Sequence, residues 1–415
     1  MSEAFPDTIE GPQVSHTMTG HVVIAPDKFR GSLTSPEVAA HVAAGLRYPG
    51  LGNVPVVELP VADGGDGTVD AVVASGFTRV ETEVTGPAGD PVTASYAVRN
   101  EPGARVAVIE LAEASGLRRL PGPPGGRPEE HVPVPLTATS RGTGELIAHA
   151  VRHGATRIVL GLGGSACTDG GAGMAQALGV RLLDAAGNDL PPGGAALRDL
   201  HAVDASGRLS GFEVIVASDV DNPLLGPYGA AAVYGPQKGA SPQDVAVLEA
   251  GLARLAAVAA HTHGLAGAAE HDGVVRAMGV AGRPGAGAAG GVGFGALTFL
   301  DAEIRPGIGY LLDLVEFDRH VEGAQLVITG EGAIDEQTLR GKAPVGVAAA
   351  AAKHGVPVVA VCGRRTVGDE ELRAAGIEAA YALTDIEPDV RRCMAEAGPL
   401  LERLAARIAA GHLTT

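Results

Sequence analysis

The stretch HVVIAPDKFRGSLTSPEVAAHVAAGL, residues 21–46, holds one complete strand, loop and helix, and it decides the fold. Residues 21–26 form a short apolar run of buried-strand type. A helix then opens at Ser35-Pro36-Glu37 and runs through Leu46, with Ser35 as the N-cap, Pro36 at the first helical position and Glu37 in the first turn. A second strand at 54–59 and a second helix at 67–75 repeat the unit, so the chain begins a parallel α/β sheet.

Past Phe77 the texture changes. Alternating Thr- and Val-rich segments around Gly86-Pro87-Ala88-Gly89-Asp90 predict an antiparallel hairpin. A strand at 106–111, a Pro/Gly-rich loop at 121–128, a helix at 143–153 and strands at 157–162 and 212–217 follow. A long helix at 242–261 precedes a Gly/Ala-rich flexible segment at 281–291. The βα rhythm then resumes, with strands at 325–329, 356–361 and 379–383, helices at 344–353 and 369–375, and a final helix at 388–410.

The outer segments alone supply five short strands, two before Phe77 and three after Leu314, which is the size of a flavodoxin-like sheet. The economical architecture is α/β. A flavodoxin-like parallel-sheet domain, residues 20–75 and 316–415, is interrupted by an inserted second α/β domain at 76–315, with the active site in the interdomain cleft. Residues 1–19 are expected to be a disordered tail.

Composition narrows the function class. The chain has 415 residues, a hydrophobic fraction of 46%, 61 glycines, 3% aromatics and no tryptophan, so the core must be built from Ala, Val, Leu and Ile. A formal charge of −17, with no dense Lys/Arg run, argues against nucleic acid or an anionic membrane as partner. Three widely spaced cysteines without a C-x-x-C pattern indicate neither a zinc site nor a disulfide framework and suit a reducing cytoplasm. Glu3, Asp7 and Glu10 without an apolar core do not read as a signal peptide, and no apolar run approaches the ~20 residues of a membrane span.

Three glycine-rich turns carry acids at the ends of apolar runs: Asp63 and Asp66 in ADGGDGT (62–68), Asp169 in GGSACTDGG (163–171), and Glu331 and Asp335 in TGEGAID (329–335). Carboxylates at strand ends, on backbone that can approach a ligand, suit magnesium and phosphate chemistry. Asp63 and Asp66 can act as metal ligand and general base, or one can cap the helix that follows. The loop 26–35 offers Asp27, Lys28, Arg30 and Ser32 to an anion at a helix start. The run 161–173 is placed as a phosphate cradle, although its G-x-G-x-x-G spacing ends in Ala166 and no Walker A motif is present. Asp219, Asp221 and Asn222 end another strand, either as metal or substrate ligands or as a turn before Pro223. Glu331 and Asp335 with Lys342 form a second cluster of acids with a cation.

The segments IAPDKFRGSLTSPEVA (24–39), PVADGGDGT (60–68), TATSRGTGELI (137–147), GLGGSACTDGGAGM (161–174), SDVDNPLLGPYGAA (218–231), YGPQKGAS (234–241) and TGEGAIDEQTLRGKAPVGVA (329–348) together resemble the type I glycerate kinase family. The resemblance runs in order from about His21 to the final helix. It implies phosphorylation of D-glycerate by ATP with Mg²⁺, with 2-phosphoglycerate favoured over 3-phosphoglycerate. It also implies a flavodoxin-like domain carrying an inserted one.

Phosphoryl transfer needs charge neutralisation, in-line positioning and one base. On those needs, Lys28 and Arg30 are expected on phosphate or on the glycerate carboxylate, together with Asp27, Ser32, Asp66, Asn222 and Lys342. Gly163, Gly164, Ser165, Gly170 and Gly171 are expected on the nucleotide. Asp63 or Asp169 would be the base, and Asp219, Glu331 and Asp335 would stand nearest the metal. A magnesium-dependent phosphohydrolase and a non-catalytic hydroxy-acid sensor are the rival functions, and the sequence leaves a homo-oligomer open.

Overall fold

The computed structural model describes residues 20–47, 54–122, 132–263, 268–271, 274–277 and 279–413. The tail expected at 1–19 and most of the loop expected at 121–128 lie outside the described residues. In chain order the strands are β1 (His21–Pro26), β2 (Val56–Glu58), β3 (Thr78–Thr85), β4 (Pro91–Glu101), β5 (Ala104–Glu110), β6 (Arg157–Gly161), β7 (Arg181–Leu183) and β8 (Ala202–Asp204). They continue with β9 (Glu213–Ala217), β10 (Ala268–His271), β11 (Val274–Ala277), β12 (Glu303–Arg305), β13 (Ala324–Ile334), β14 (Val358–Arg365) and β15 (Ala379–Ala382).

Two larger sheets organise them. The first has the order β15-β14-β13-β1-β2, parallel throughout, and draws only on the two ends of the chain. Numbered within that sheet, the order is 2-1-3-4-5, the flavodoxin-like arrangement, whose strand order reverses between β1 and β13. Ala25 pairs with Thr329 and Pro26 with Gly330, so the loops leaving β1 and β13 emerge side by side at this switch point. The second sheet has the order β12-β9-β6-β5-β4-β3. Its β3, β4 and β5 are antiparallel neighbours, as the hairpin pattern predicts, while β5, β6, β9 and β12 run parallel.

The strands of the first sheet are apolar on both faces because helices cover both. Val22 and Ile24 pack towards the helices Ser35–Leu46 and Ala397–His412, and Val23 and Ala25 face the helix Ala343–Ala352. The two sheets share one hydrophobic cluster. Val106, Val108 and Val159 of the second sheet meet Val69 and Leu311, carried by the helices Thr68–Ala74 and Gly307–Leu314.

Three local expectations need correction. Thr34, not Ser35, caps the first long helix: its hydroxyl accepts from Glu37 N and the Glu37 carboxylate accepts from Thr34 N, a reciprocal capping box. The last helix is two, Val390–Ala395 and Ala397–His412, because Pro399 lacks an N–H and its ring would clash with the carbonyl four residues back. The Gly/Ala-rich segment at 281–291 is a packed element rather than a flexible one. Gly290 is in the left-handed region at φ 69, and a Cβ there would lie 2.1 Å from the Cys167 carbonyl oxygen. Its glycines permit close backbone approach to the 163–171 turn.

Candidate active site

The turn that follows β2 in the first sheet meets the C-terminal ends of β6 and β9 in the second, and glycines make the meeting close. A Cβ on Gly163 would lie 2.3 Å from Gly65 Cα, and one on Gly64 would lie 2.4 Å from the Ala217 carbonyl oxygen. Gly163 N donates to Gly64 O at 3.3 Å. The first two glycine-acid turns therefore touch backbone to backbone. The third turn joins from the side, where a Cβ on Gly332 would stand 3.2 Å from Arg30 N.

Two adjoining cavities open at this junction, of about 850 and about 400 Å³. Asp63, Gly65, Gly163, Tyr234, Gln337 and Lys342 belong to both walls. The larger compartment adds Asp27, Lys28, Arg30, Ser32, Glu331 and Arg364. The smaller adds Ser218, Asp219, Asp221, Asn222 and Arg340.

Like charge is crowded in the larger compartment. Burial pushes the Asp27 carboxyl up to about 7, opposed by Lys28 and reinforced by Asp63 and Glu331. Glu331 is raised first by burial and further by Asp63 and Asp335, against the Thr338 hydroxyl, 2.5 Å away, and Lys342, 3.9 Å away. Lys28 lies 3.8 Å from Asp27, and its ammonium also donates to the Asp66 carbonyl oxygen. Lys28, Arg30, Lys342 and Arg364 line the same compartment as these acids.

Several residues that the sequence nominates are engaged elsewhere. Asp169 is fully buried and lines neither cavity; it accepts from Ser140 N at 2.8 Å, Ser140 Oγ at 2.9 Å, Gly171 N at 3.1 Å and Gly173 N at 3.2 Å. Those bonds fold the 163–173 turn and leave no open face for a substrate hydroxyl, so Asp169 is set aside as a base. Gly170 and Gly171 are buried behind the cavity, against Leu255 and Gly295. Ser165, also buried, accepts from Lys238 Nζ at 2.8 Å. Of the nucleotide residues expected in this turn, Gly163 and Gly164 reach the larger compartment.

Asp66 lines the larger compartment, but its carboxylate pairs with Arg118 at 2.5 Å, and Arg118 also binds Glu110 and Glu113. Ser32 Oγ donates to Phe29 O within its own loop at 3.1 Å. The Asn222 amide is used at both ends: Oδ1 accepts from the Tyr234 hydroxyl at 2.6 Å and Nδ2 donates to Tyr228 O at 2.8 Å.

Of the three acids expected at a metal, Glu331 and Asp335 line the larger compartment and Asp219 the smaller. Asp219 accepts from Gly307 N at 2.9 Å and Ile308 N at 3.3 Å, holding the start of a helix, and burial raises its carboxyl. Asp335 accepts from Gln337 N and Thr338 N in its own turn. Among the described residues no group of three or more His, Cys, Asp or Glu side chains is placed to hold a metal ion. Mg²⁺ in phosphoryl transfer asks for less, one or two carboxylates beside substrate phosphates. The hard oxygen donors crowded at Asp27 and Glu331 fit that demand.

Tyr234, Gln337, Arg340 and Arg364 line the cavities and were not singled out from the sequence. Arg364 could have been, because it lies near the C-terminal end of β14, on the same side of the sheet as Asp27 and Glu331, where open α/β sheets bind ligands. Gln337 and Arg340 lie within the 329–348 segment, between its acids and Lys342.

Comparison with known proteins shows which family the chain belongs to. The model of the Glycerate kinase family matches residues 22–412. The glycerate kinase of Bacillus subtilis (strain 168) is 42% identical over 397 residues, spanning 94% of this chain and 97% of that one. The glycerate 2-kinase of Escherichia coli (strain K12) is 42% identical over 371 residues, spanning 87% and 90%. A crystal structure from Salmonella typhimurium LT2, described as that of a candidate glycerate kinase 2, superposes with a TM-score of 0.76 at 40% identity, over 95% of this chain and 98% of that one.

Proposed function

The chain belongs to the glycerate kinase family, and we propose that it transfers the terminal phosphoryl group of ATP to the 2-hydroxyl of D-glycerate, giving 2-phosphoglycerate. One observation carries the reading. Asp63 lines both compartments, so a hydroxyl in the smaller and a phosphoryl group in the larger would meet beside its carboxylate. ATP takes the larger space, and the three-carbon acid takes the smaller, polar one, with Arg340 and Lys342 as partners for its carboxylate.

Asp63 is the base in this account: Gly65 N donates to its Oδ1 at 3.0 Å, which orients the carboxylate for the hydroxyl proton. Lys28, Arg30 and Arg364 hold phosphate oxygens, which stabilises the charge spread over the transferring group. Gly163 and Gly164 let the backbone approach the phosphates, and Asp66 holds Lys28 in place through its carbonyl oxygen. Asn222 fixes Tyr234, which stands on the partition between the compartments. Asp27 and Glu331 would hold Mg²⁺, which when bound neutralises phosphate charge. Asp219 supports the site by anchoring the helix Gly307–Leu314 against it.

The domain division near 75 and 316 belongs to the same proposal, with the site built from both parts. So does a reducing cytoplasm, which suits three buried, unpaired cysteines; no helix among the described residues is long and apolar enough to cross a membrane. ADP formation with and without D-glycerate tests the activity, and ³¹P NMR of the product tests the position. Glycerate-dependent ADP and a 2-phosphoglycerate signal support it. Phosphate release from phosphoglycerate without nucleotide would point to the phosphohydrolase, and binding without turnover to the sensor.

A further inference from the structure

The larger compartment has two unlike kinds of lining. One part of its lining is Lys28, Lys342 and Arg364 with the acids of the site. The other part is apolar, a wall of Leu383, Val390 and Met394. Val390 and Met394 are four residues apart, one turn of the short helix Val390–Ala395, and so share a face. Both are 47% exposed, whereas most large apolar side chains of this protein are buried.

That face is built rather than loose. Asp389 caps the helix, its Oδ1 accepting from Arg391 N at 2.9 Å. Cys393 Sγ donates to Glu387 O at 3.0 Å, and Arg392 pairs with Glu387 at 3.1 Å, tying the helix to the segment before it. On the cavity side, Gly31 has a φ of +80, and a Cβ there would stand 3.2 Å from Met394 Cε. The loop that carries Lys28 and Arg30 thus runs directly under the wall.

An open apolar face continuous with a cluster of cations matches a ligand that is a flat apolar ring at one end and a polyanion at the other. A three-carbon hydroxy acid has no apolar surface to place there. We propose that Val390, Met394 and Leu383 form the nucleobase-binding wall of the larger compartment, with Met394 as the principal contact of the purine ring. A polarisable thioether against an aromatic face is a favourable contact. The assignment rests on the kinase reading and adds to it the orientation of the nucleotide: ring against the helix Val390–Ala395, phosphates towards Asp63.

The test compares ligands with and without the base. Met394→Ala and Val390→Ser change exposed positions outside the catalytic junction, and thermal melting confirms that they fold. By calorimetry, ADP affinity should fall about tenfold or more in each, whereas inorganic tripolyphosphate, which has the charge and lacks the ring, should bind as to the wild type. In turnover, KM for ATP should rise by a similar factor, with KM for D-glycerate unchanged. Equal losses for ADP and tripolyphosphate, a rise confined to KM for D-glycerate, or no change in ADP affinity would each overturn the wall assignment. Failure of the kinase reading is distinguishable, because the wild type would then form no glycerate-dependent ADP.

Discussion

Gly65 and Gly163 face each other across the junction of the two sheets so closely that a Cβ on Gly163 would lie 2.3 Å from Gly65 Cα. The contact locks the turn that carries Asp63 onto the turn that enters the second sheet's cradle. Gly163→Ala is therefore expected to push the two turns apart, at a cost of about 1–3 kcal/mol from overpacking. Melting should shift downward and kcat/KM should fall together. A variant with wild-type stability and activity would show that the junction is slack.

Asp169 is a structural carboxylate in this account. Asp169→Asn replaces an oxygen that accepts up to three bonds with an amide that cannot accept from all of them. The loss should be about 1–3 kcal/mol of stability, the penalty for buried donors left unpaired. Denaturant midpoints should fall, while the variant, assayed where it is folded, keeps the wild-type dependence of rate on pH. A folded variant without turnover would restore Asp169 as a catalytic group.

Lys238 gives a pH signature of stability. Burial lowers its ammonium from 10.5 to about 8, with Cys167 and Asp169 opposing, so between those values the unfolded chain binds the extra proton. Stability then rises with pH across that interval. Against Lys238→Met, which also loses the bonds to Ser165 Oγ and Cys167 O, the wild type should gain stability as pH climbs from about 8 towards 10.5. Parallel stability curves for the two proteins over that interval would refute the lowered ionisation.

In the proposed reaction Asp27 would be one of the two carboxylates holding Mg²⁺. Asp27→Asn removes one of two carboxylates beside the phosphates, so half-maximal activity should require about tenfold more Mg²⁺ or higher, a change of ~1.4 kcal/mol in binding. Activity measured across a Mg²⁺ titration decides it. An unchanged midpoint would remove Asp27 from the metal site.

Much of this was legible in the sequence, for identifiable reasons. The five strands of the first sheet announce themselves because helices cover both of its faces, which makes runs such as Val22-Val23-Ile24 continuously apolar. The hairpin around Gly86–Asp90 shows in its alternation. Carboxylates at strand ends led to Asp63 and Glu331, and the loop leaving β1 to Asp27, all on the cavity. The misses come from tertiary structure that spacing does not encode. Asp169 sits in a glycine-rich turn much as Asp63 does, and only the fold shows that Ser140, 29 residues away, uses it up. Glycines at 281–291 look like flexibility in one dimension and are close-packing in three. Thr34 and Ser35 are both good caps, and the Glu37 side chain selects the former. Met394 carries no motif at all; its exposure beside a charged cavity is what marks it.

The most direct measurement is the rate of glycerate-dependent ADP formation by Asp63→Asn beside the wild type, with ADP binding to both followed by calorimetry. If Asp63 accepts the hydroxyl proton at the partition of the two compartments, kcat should fall by roughly 10²–10⁴, the usual worth of general-base catalysis, while nucleotide affinity stays within a few fold. A variant turning over at close to the wild-type rate would contradict the account.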